Sequence, residues 1–254
     1  MYKTITWRTP GGEYNRISAE ALKAEHTLIA GATGCGKSTF LHSIMQAALI
    51  KYSPANAQFV LCDPKEVELR QYKDLPHTIT YATEEGDILE ALDSVLRIMK
   101  ERYAYMAKKG QTTWTDGSHI FVIIEELADL MACPLRKYIQ IAIQRITQKG
   151  RAAGISVIAA TQAPSRKIIS AEITLNFTAR FALACESAIE SKQVVGIAGA
   201  EALPDHGECI YKYKRNIGRY VLPFVTATDV LPLVEYWKSD RAIVSVNRSL
   251  FRAA

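Results

Sequence analysis

Short, largely apolar runs bounded by turn residues punctuate the chain at residues 27–30, 58–62, 79–82, 120–124 and 155–160. Runs this short, without regular polar alternation, fit strands covered on both faces, as in a parallel sheet. Between them the apolar spacing changes to the helical period, over about 38–51, 86–109 and 135–149. The second is the clearest: Ile88, Leu92, Val95, Met99, Tyr103 and Met106 recur at steps of three and four behind Thr83, a candidate N-cap. Strand and helix alternating in this order predict an α/β fold built on a doubly wound, mostly parallel sheet.

Two flanks follow another rhythm. Residues 3–17 read as a hairpin, KTITW and EYNRI around Pro10, Gly11 and Gly12. Residues 178–225 hold three further strand-like runs, ARFALA, ECIYKY and RYVLPFV, which are expected to extend the sheet with antiparallel strands. The expected organisation is one globular body: an N-terminal hairpin or extension over 1–25, the main domain over 26–230 and a short tail over 231–254. LPLVEYW in that tail reads as a packed terminal helix.

Composition narrows this picture only a little. With 254 residues, 48% of them hydrophobic, the chain can bury a large core, and no tract is biased toward disorder. No apolar segment approaches the ~20 residues of a membrane helix. The N-terminus, MYKTITWRTPGGEYNR, lacks the apolar core of a secretion signal, so a cytoplasmic protein without a transmembrane segment is expected. The 5 cysteines are scattered singly among apolar neighbours, which suits buried free thiols better than metal ligands or disulfides. A net charge of +5 permits a polyanionic partner without demanding one.

The chemistry starts at GATGCGKST, residues 31–39, between the first apolar run and the first helical pattern. Gly31, four residues, then Gly36, Lys37 and Ser38 complete a phosphate-loop pattern in the required strand-to-helix context. Glycines turn backbone N–H groups toward phosphates, and the helix presents its positive end. Lys37 is placed to neutralise β/γ oxygens and Ser38 to ligate Mg²⁺. Gly31, Thr33, Gly34, Cys35, Gly36, Lys37, Ser38 and Thr39 are thus the candidate ATP contacts. HIFVIIEE, residues 119–126, ends a buried strand in two acids. Glu125 would hold the Mg²⁺ hydration shell, and Glu126 would orient and activate water; a helix that simply begins with two acids is the competing reading. Gln162 ends the next buried run and reaches the same edge, where it would sense a γ-phosphate or position water. Arg145 and Arg151 flank the end of a helix; either serves its terminal carbonyls or reaches a neighbouring subunit's γ-phosphate.

HTLIAGATGCGKST, FVLCDPKEVELRQYKDLPH, IIEELADLM, RITQKGRAAGISVIAATQAPS and AGAEALPDHGECIY, in this order, resemble the motor domain of the FtsK/SpoIIIE DNA translocases over about residues 13–230. The resemblance implies a RecA-like P-loop NTPase that assembles as a ring, usually a hexamer, around double-stranded DNA and moves it. It implies ATP and Mg²⁺ as cofactors, with Gly34, Gly36, Lys37, Ser38 and Thr39 cradling them. Glu126 becomes the catalytic acid, Gln162 the sensor, and Arg151, in GRAAG, the arginine presented in trans.

The chain departs from the family pattern in three ways. Glu125 stands where the family usually has Asp, one methylene further from the metal. Ala163 and Thr174 stand where pore cations are frequent, while Arg166 and Lys167 offer replacement charges for a sequence-independent grip on DNA phosphates. Segments for a membrane anchor and a winged-helix reader are not found, so a compact motor serving a plasmid, phage or integrative element is expected. Three alternatives stay open: a packaging or conjugation ATPase active only with a membrane or capsid partner, a nucleotide-gated DNA binder with little turnover, and a small-molecule phosphotransferase.

Overall fold

The computed structural model describes residues 4–8, 14–18, 23, 25–165 and 170–239. Strands β1 (Thr4–Arg8) and β2 (Tyr14–Ser18) form the expected antiparallel hairpin. Then follow β3 (Thr27–Ala30), α1 (Lys37–Lys51), β4 (Ala57–Cys62), β5 (Thr78–Ala82) and α2 (Glu85–Lys109). β6 (His119–Ile124), α3 (Leu127–Ala132), α4 (Arg136–Lys149) and β7 (Ile155–Thr161) come next. The chain continues with α5 (Ala171–Asn176), β8 (Ala179–Ala182), α6 (Ala188–Val195), β9 (Glu208–Tyr213), β10 (Asn216–Val221) and α7 (Ala227–Lys238).

All the strands join one 10-stranded sheet in the order β2-β1-β10-β9-β8-β3-β7-β6-β4-β5. From β8 to β5 neighbouring strands are parallel; β9, β10, β1 and β2 extend it with antiparallel pairings. The predicted mostly parallel sheet with added antiparallel strands is therefore the observed one. Successive strand residues face opposite sides. Leu28, Val60, Val122 and Val157 pack with α2, α3 and α4, while Ile29, Phe59, Phe121 and Ile158 pack with α1 and α7. Burial on both faces is why these runs carried no polar alternation.

Local chemistry moves several predicted boundaries. α2 begins behind Glu84, not Thr83, because the Ile88 N–H bonds the Glu84 carbonyl at 2.9 Å. The run 219–225 does not continue as a strand. β10 stops at Val221, where the Leu222 N–H turns to the Gly207 carbonyl at 2.7 Å and Pro223 has no N–H to pair. LPLVEYW lies in α7, capped by reciprocal bonds between Thr226 and Asp229, with Val230 and Val234 buried. The Trp237 indole N–H reaches the Leu49 carbonyl at 2.9 Å and ties α7 to the end of α1.

Three buried histidines give the fold an acid limit. His26 accepts the Val157 N–H on Nδ1 at 2.9 Å, His77 pairs with the Tyr52 carbonyl at 2.9 Å, and His119 pairs with the Ser156 hydroxyl at 2.9 Å. Burial pulls His26 and His77 down to about 4 from 6.5 and His119 to about 3; Arg151 adds to the effect on His26, and Lys23, Arg102 and His26 to that on His119. Below pH 6.5 the unfolded chain takes up protons that the folded one refuses. Stability therefore falls as pH drops, at about 1.4 kcal/mol per pH unit per histidine, until the folded-state values are passed. Denaturant melts at pH 7.5 and pH 5 are expected to differ by several kcal/mol, and replacing His26 by Gln should shrink the difference.

Candidate active site

Parallel pairing brings the carboxyl ends of β3, β4, β6, β7 and β8 to one edge of the sheet. Ala30 is in register with Thr161 on one side and Ala182 on the other, and Ile124 with Ala159 and Cys62. Gly31, Asp63, Glu125 and Gln162 consequently leave the sheet side by side. β7 lies between the phosphate-loop strand and the acid strand, so Gln162 stands between the loop and the two glutamates.

The loop turns where a side chain is excluded. A Cβ at Gly31 would sit 2.7 Å from Cys35 Sγ and 2.9 Å from Leu183 Cβ. Gly36 takes φ 97° as the N-cap of α1, a left-handed conformation that glycine adopts readily. Lys37 folds back into this turn. Its Nζ donates to the Gly31 carbonyl at 2.8 Å and the Ala32 carbonyl at 2.6 Å, and Cys35 Sγ lies at 3.9 Å. Burial lowers the Lys37 pKa, while Cys35, Glu126 and Glu125 oppose that shift.

Glu126 is 2% exposed and tied from several sides. Its Oε1 accepts the Ala128 N–H at 3.0 Å, capping α3. The Gln162 N–H reaches Oε1 at 3.2 Å and Oε2 at 3.1 Å. The Gln162 side chain in turn accepts the Thr33 hydroxyl at 2.7 Å. A continuous hydrogen-bonded path thus runs from the phosphate loop through Gln162 to Glu126. The capping and functional readings of this acid are compatible, because the bonds that cap α3 also orient the carboxylate.

Glu125 occupies a different environment. Burial pushes its pKa up to about 7; nearby Lys65 opposes this, and Glu126, Asp63 and Glu68 add to it. Its Oε2 is buried without a hydrogen-bond partner. A cation bound at this edge would supply the missing partner and favour the charged form. Among the described residues no group of three or more His, Cys, Asp or Glu side chains is placed to hold a metal by itself. All five cysteines are buried and free.

The FtsK/SpoIIIE family profile matches residues 7–118. The DNA translocase FtsK of Tropheryma whipplei is 34% identical over 238 residues, covering 85% of this chain and 32% of that protein. Its counterpart in Mycobacterium leprae is 36% identical over 222 residues, covering 78% of this chain and 26% of that protein. This chain carries an FtsK/SpoIIIE family domain over residues 7–118. It spans about a third or less of the length of these curated relatives. Among solved structures, the cytoplasmic domain of the type VII secretion ATPase EccC of Thermomonospora curvata superposes with a TM-score of 0.78 at 20% identity, covering 93% of this chain and 31% of that one. The pCW3 conjugation coupling protein TcpA, solved with ATPγS, gives 0.79 at 19% identity, covering 94% and 71%. The fold of this chain is that of the RecA-like P-loop ATPases.

Not every predicted residue of this chain meets at this edge. Arg151 precedes β7, at the opposite end of the strands; seven residues at ~3.3 Å each put roughly 20 Å between that end and Gln162. Its guanidinium is held by the buried Glu25, with Nη1 at 3.2 Å from Oε2 and Nη2 at 3.3 Å from Oε1. Thr178 and Tyr213 hydroxyls also donate to Glu25. Arg145 lies on α4, with Gln148 and Lys149, in a groove against α2. Arg166 and Lys167 lie outside the described residues. Thr174 spends its hydroxyl on the Ser170 carbonyl at 3.0 Å, within α5.

In the DPK segment the sequence leaves the role of Lys65 open and reads Asp63 and Pro64 as turn formers. Lys65 Nζ lies 3.3 Å from Asp129 and 3.9 Å from Glu126, so a cation from the end of β4 faces the acid. Asp63 shapes the turn that carries Lys65, accepting the Leu69 N–H at 3.0 Å and the Tyr81 hydroxyl at 3.3 Å. Hydrogen bonds from His42 and Ser38 help hold the Glu68 carboxyl below its usual range. The sequence signal for this group is the DPK segment directly after a buried strand, within the charged run DPKEVELR.

Proposed function

We propose that this chain hydrolyses ATP and uses the energy to move double-stranded DNA. The observation that carries the reading is the Thr33–Gln162–Glu126 path, which links the loop that would hold the γ-phosphate to the acid that would activate water. Glu126 accepts the proton of the attacking water, held in position by the Gln162 and Ala128 N–H groups and faced by Lys65. Lys37 exchanges its loop carbonyls for β/γ oxygens. Ser38 and Glu125 would hold Mg²⁺, which when bound supplies charge neutralisation at the phosphates. A change at Thr33 on loss of the γ-phosphate passes through Gln162 to the segment that follows it, which contains Arg166 and Lys167, the proposed DNA contacts.

The placement of Arg151 supports assembly as a homo-oligomeric ring, a hexamer by family resemblance. An arginine at the far edge of the sheet serves no phosphate on its own chain; reaching one on a neighbour would require its guanidinium to leave Glu25. Names of the curated relatives support DNA as the substrate. A basic net charge of +5 is compatible with it. Among the described residues no helix is long and apolar enough to cross a membrane.

The test is ATP turnover by the purified chain with and without long double-stranded DNA. Stimulation of about tenfold or more, weaker with duplexes too short to thread a ring, is expected. A second reading has one observation in its favour: Glu125, a methylene longer than Asp, has its Oε2 buried without a hydrogen-bond partner, and a misplaced metal ligand would slow turnover and leave a nucleotide-gated DNA binder. ATP-dependent DNA retention without hydrolysis would select it.

A further inference from the structure

Gly34 and Thr39 share a cleft of about 220 Å³ with His206, Leu222, Pro223 and Phe224. The cleft lies beside the phosphate loop, on the side away from Gln162 and the acids. Its far wall comes from the end of the β9–β10 hairpin, nearly 190 residues further along the chain, as the numbering shows. Local chemistry fixes that wall. The Leu222 N–H is spent on Gly207, Pro223 cannot continue the ladder, and Leu222 and Val225 are buried on either side of the turn. Phe224 is left between two anchored neighbours with its side chain 79% exposed. An exposed phenylalanine on a pinned backbone, next to a phosphate loop, has the properties of a stacking surface: a large apolar face, little conformational freedom in its main chain, and open access.

We propose that this cleft takes the nucleobase of the bound nucleotide, that Phe224 stacks on it, and that base identity is read only weakly. The proposal rests on the reading of residues 31–39 as a triphosphate site. The weak reading follows from the wall itself. A pocket that discriminates between bases offers fixed hydrogen-bond donors and acceptors to the base edge. Here the Leu222 N–H is already bonded and Pro223 has none. His206, the polar side chain of that wall, is exposed to solvent and bears no fixed hydrogen bond that would orient it. The broad Phe224 face is the main contact this wall offers a base, and every base has a face to stack. ATP and GTP are therefore both accommodated.

Equilibrium competition against a fluorescent ATP analogue tests this on the full chain, with ATP, GTP and inorganic tripolyphosphate as competitors. Phe224→Ala is expected to weaken ATP and GTP about tenfold or more while leaving tripolyphosphate unchanged, and Phe224→Trp to preserve ATP affinity. GTP should bind the unmodified chain within about tenfold of ATP. Unchanged ATP affinity in Phe224→Ala, equal loss of tripolyphosphate, or GTP weaker by about a hundredfold or more would overturn the proposal. Tripolyphosphate binding that is normal and sensitive to Lys37→Ala alongside such a result would leave the phosphate reading standing. No binding of either ligand to the unmodified chain would overturn both.

Discussion

Replacing Glu126 by Gln is expected to cut ATP turnover by about 10²–10⁴-fold while ATP affinity stays within a few-fold of the parent chain. The carboxylate is the acid closest to the loop-to-sensor path, and a neutral amide takes no proton from water. The substitution also has a structural cost that the geometry specifies. Both Glu126 oxygens accept the Gln162 N–H, and Oε1 accepts the Ala128 N–H as well. Gln keeps one acceptor and points an NH₂ group toward a donor or toward Lys65, losing about 1–2 kcal/mol of local stability. Turnover, nucleotide affinity and thermal melting measured together separate the two roles. A variant that loses ATP binding in step with turnover would make Glu126 a cap of α3 and nothing more.

Replacing Lys37 by Ala is expected to weaken ATP binding by about 10²-fold or more, since charge-assisted contacts to phosphate contribute about 1.5–3 kcal/mol each. Its effect on folding should be small. The buried ammonium costs desolvation, and that cost disappears with it, but the Gly31 and Ala32 carbonyls lose their donor. These terms oppose each other, and a net change of about 1 kcal/mol either way is expected. Titration calorimetry with ATP and denaturant melting check the two halves. Binding close to that of the parent chain would remove the phosphate loop from the account.

What the sequence made legible is the part of the fold with short-range causes. The buried strands show as apolar runs, α2 shows as a long helical period, and the phosphate loop and Glu125–Glu126 are contiguous in the chain. The short helices α3 and α5 span six residues each, too few for a period to show. Gln162 was expected at the edge of the acids, and its bond to Glu126 follows; the unforeseen contacts join distant positions, Glu25 with Arg151 and Gly34 with Phe224 across the cleft. Their origin is strand order, which places β7 next to β3 and swings the β9–β10 hairpin over the loop. Glu25 had no local signal as a partner for Arg151. Its position just before β3 gains meaning only when β3 and β7 lie side by side.

Displacement of a third strand from a long duplex measures directly whether the chain moves along DNA. With ATP and Mg²⁺, the unmodified chain is expected to release a triplex-forming oligonucleotide placed far from its loading point, and Glu126→Gln to leave it in place. DNA-stimulated ATP turnover with no release under any loading arrangement would contradict the translocase account.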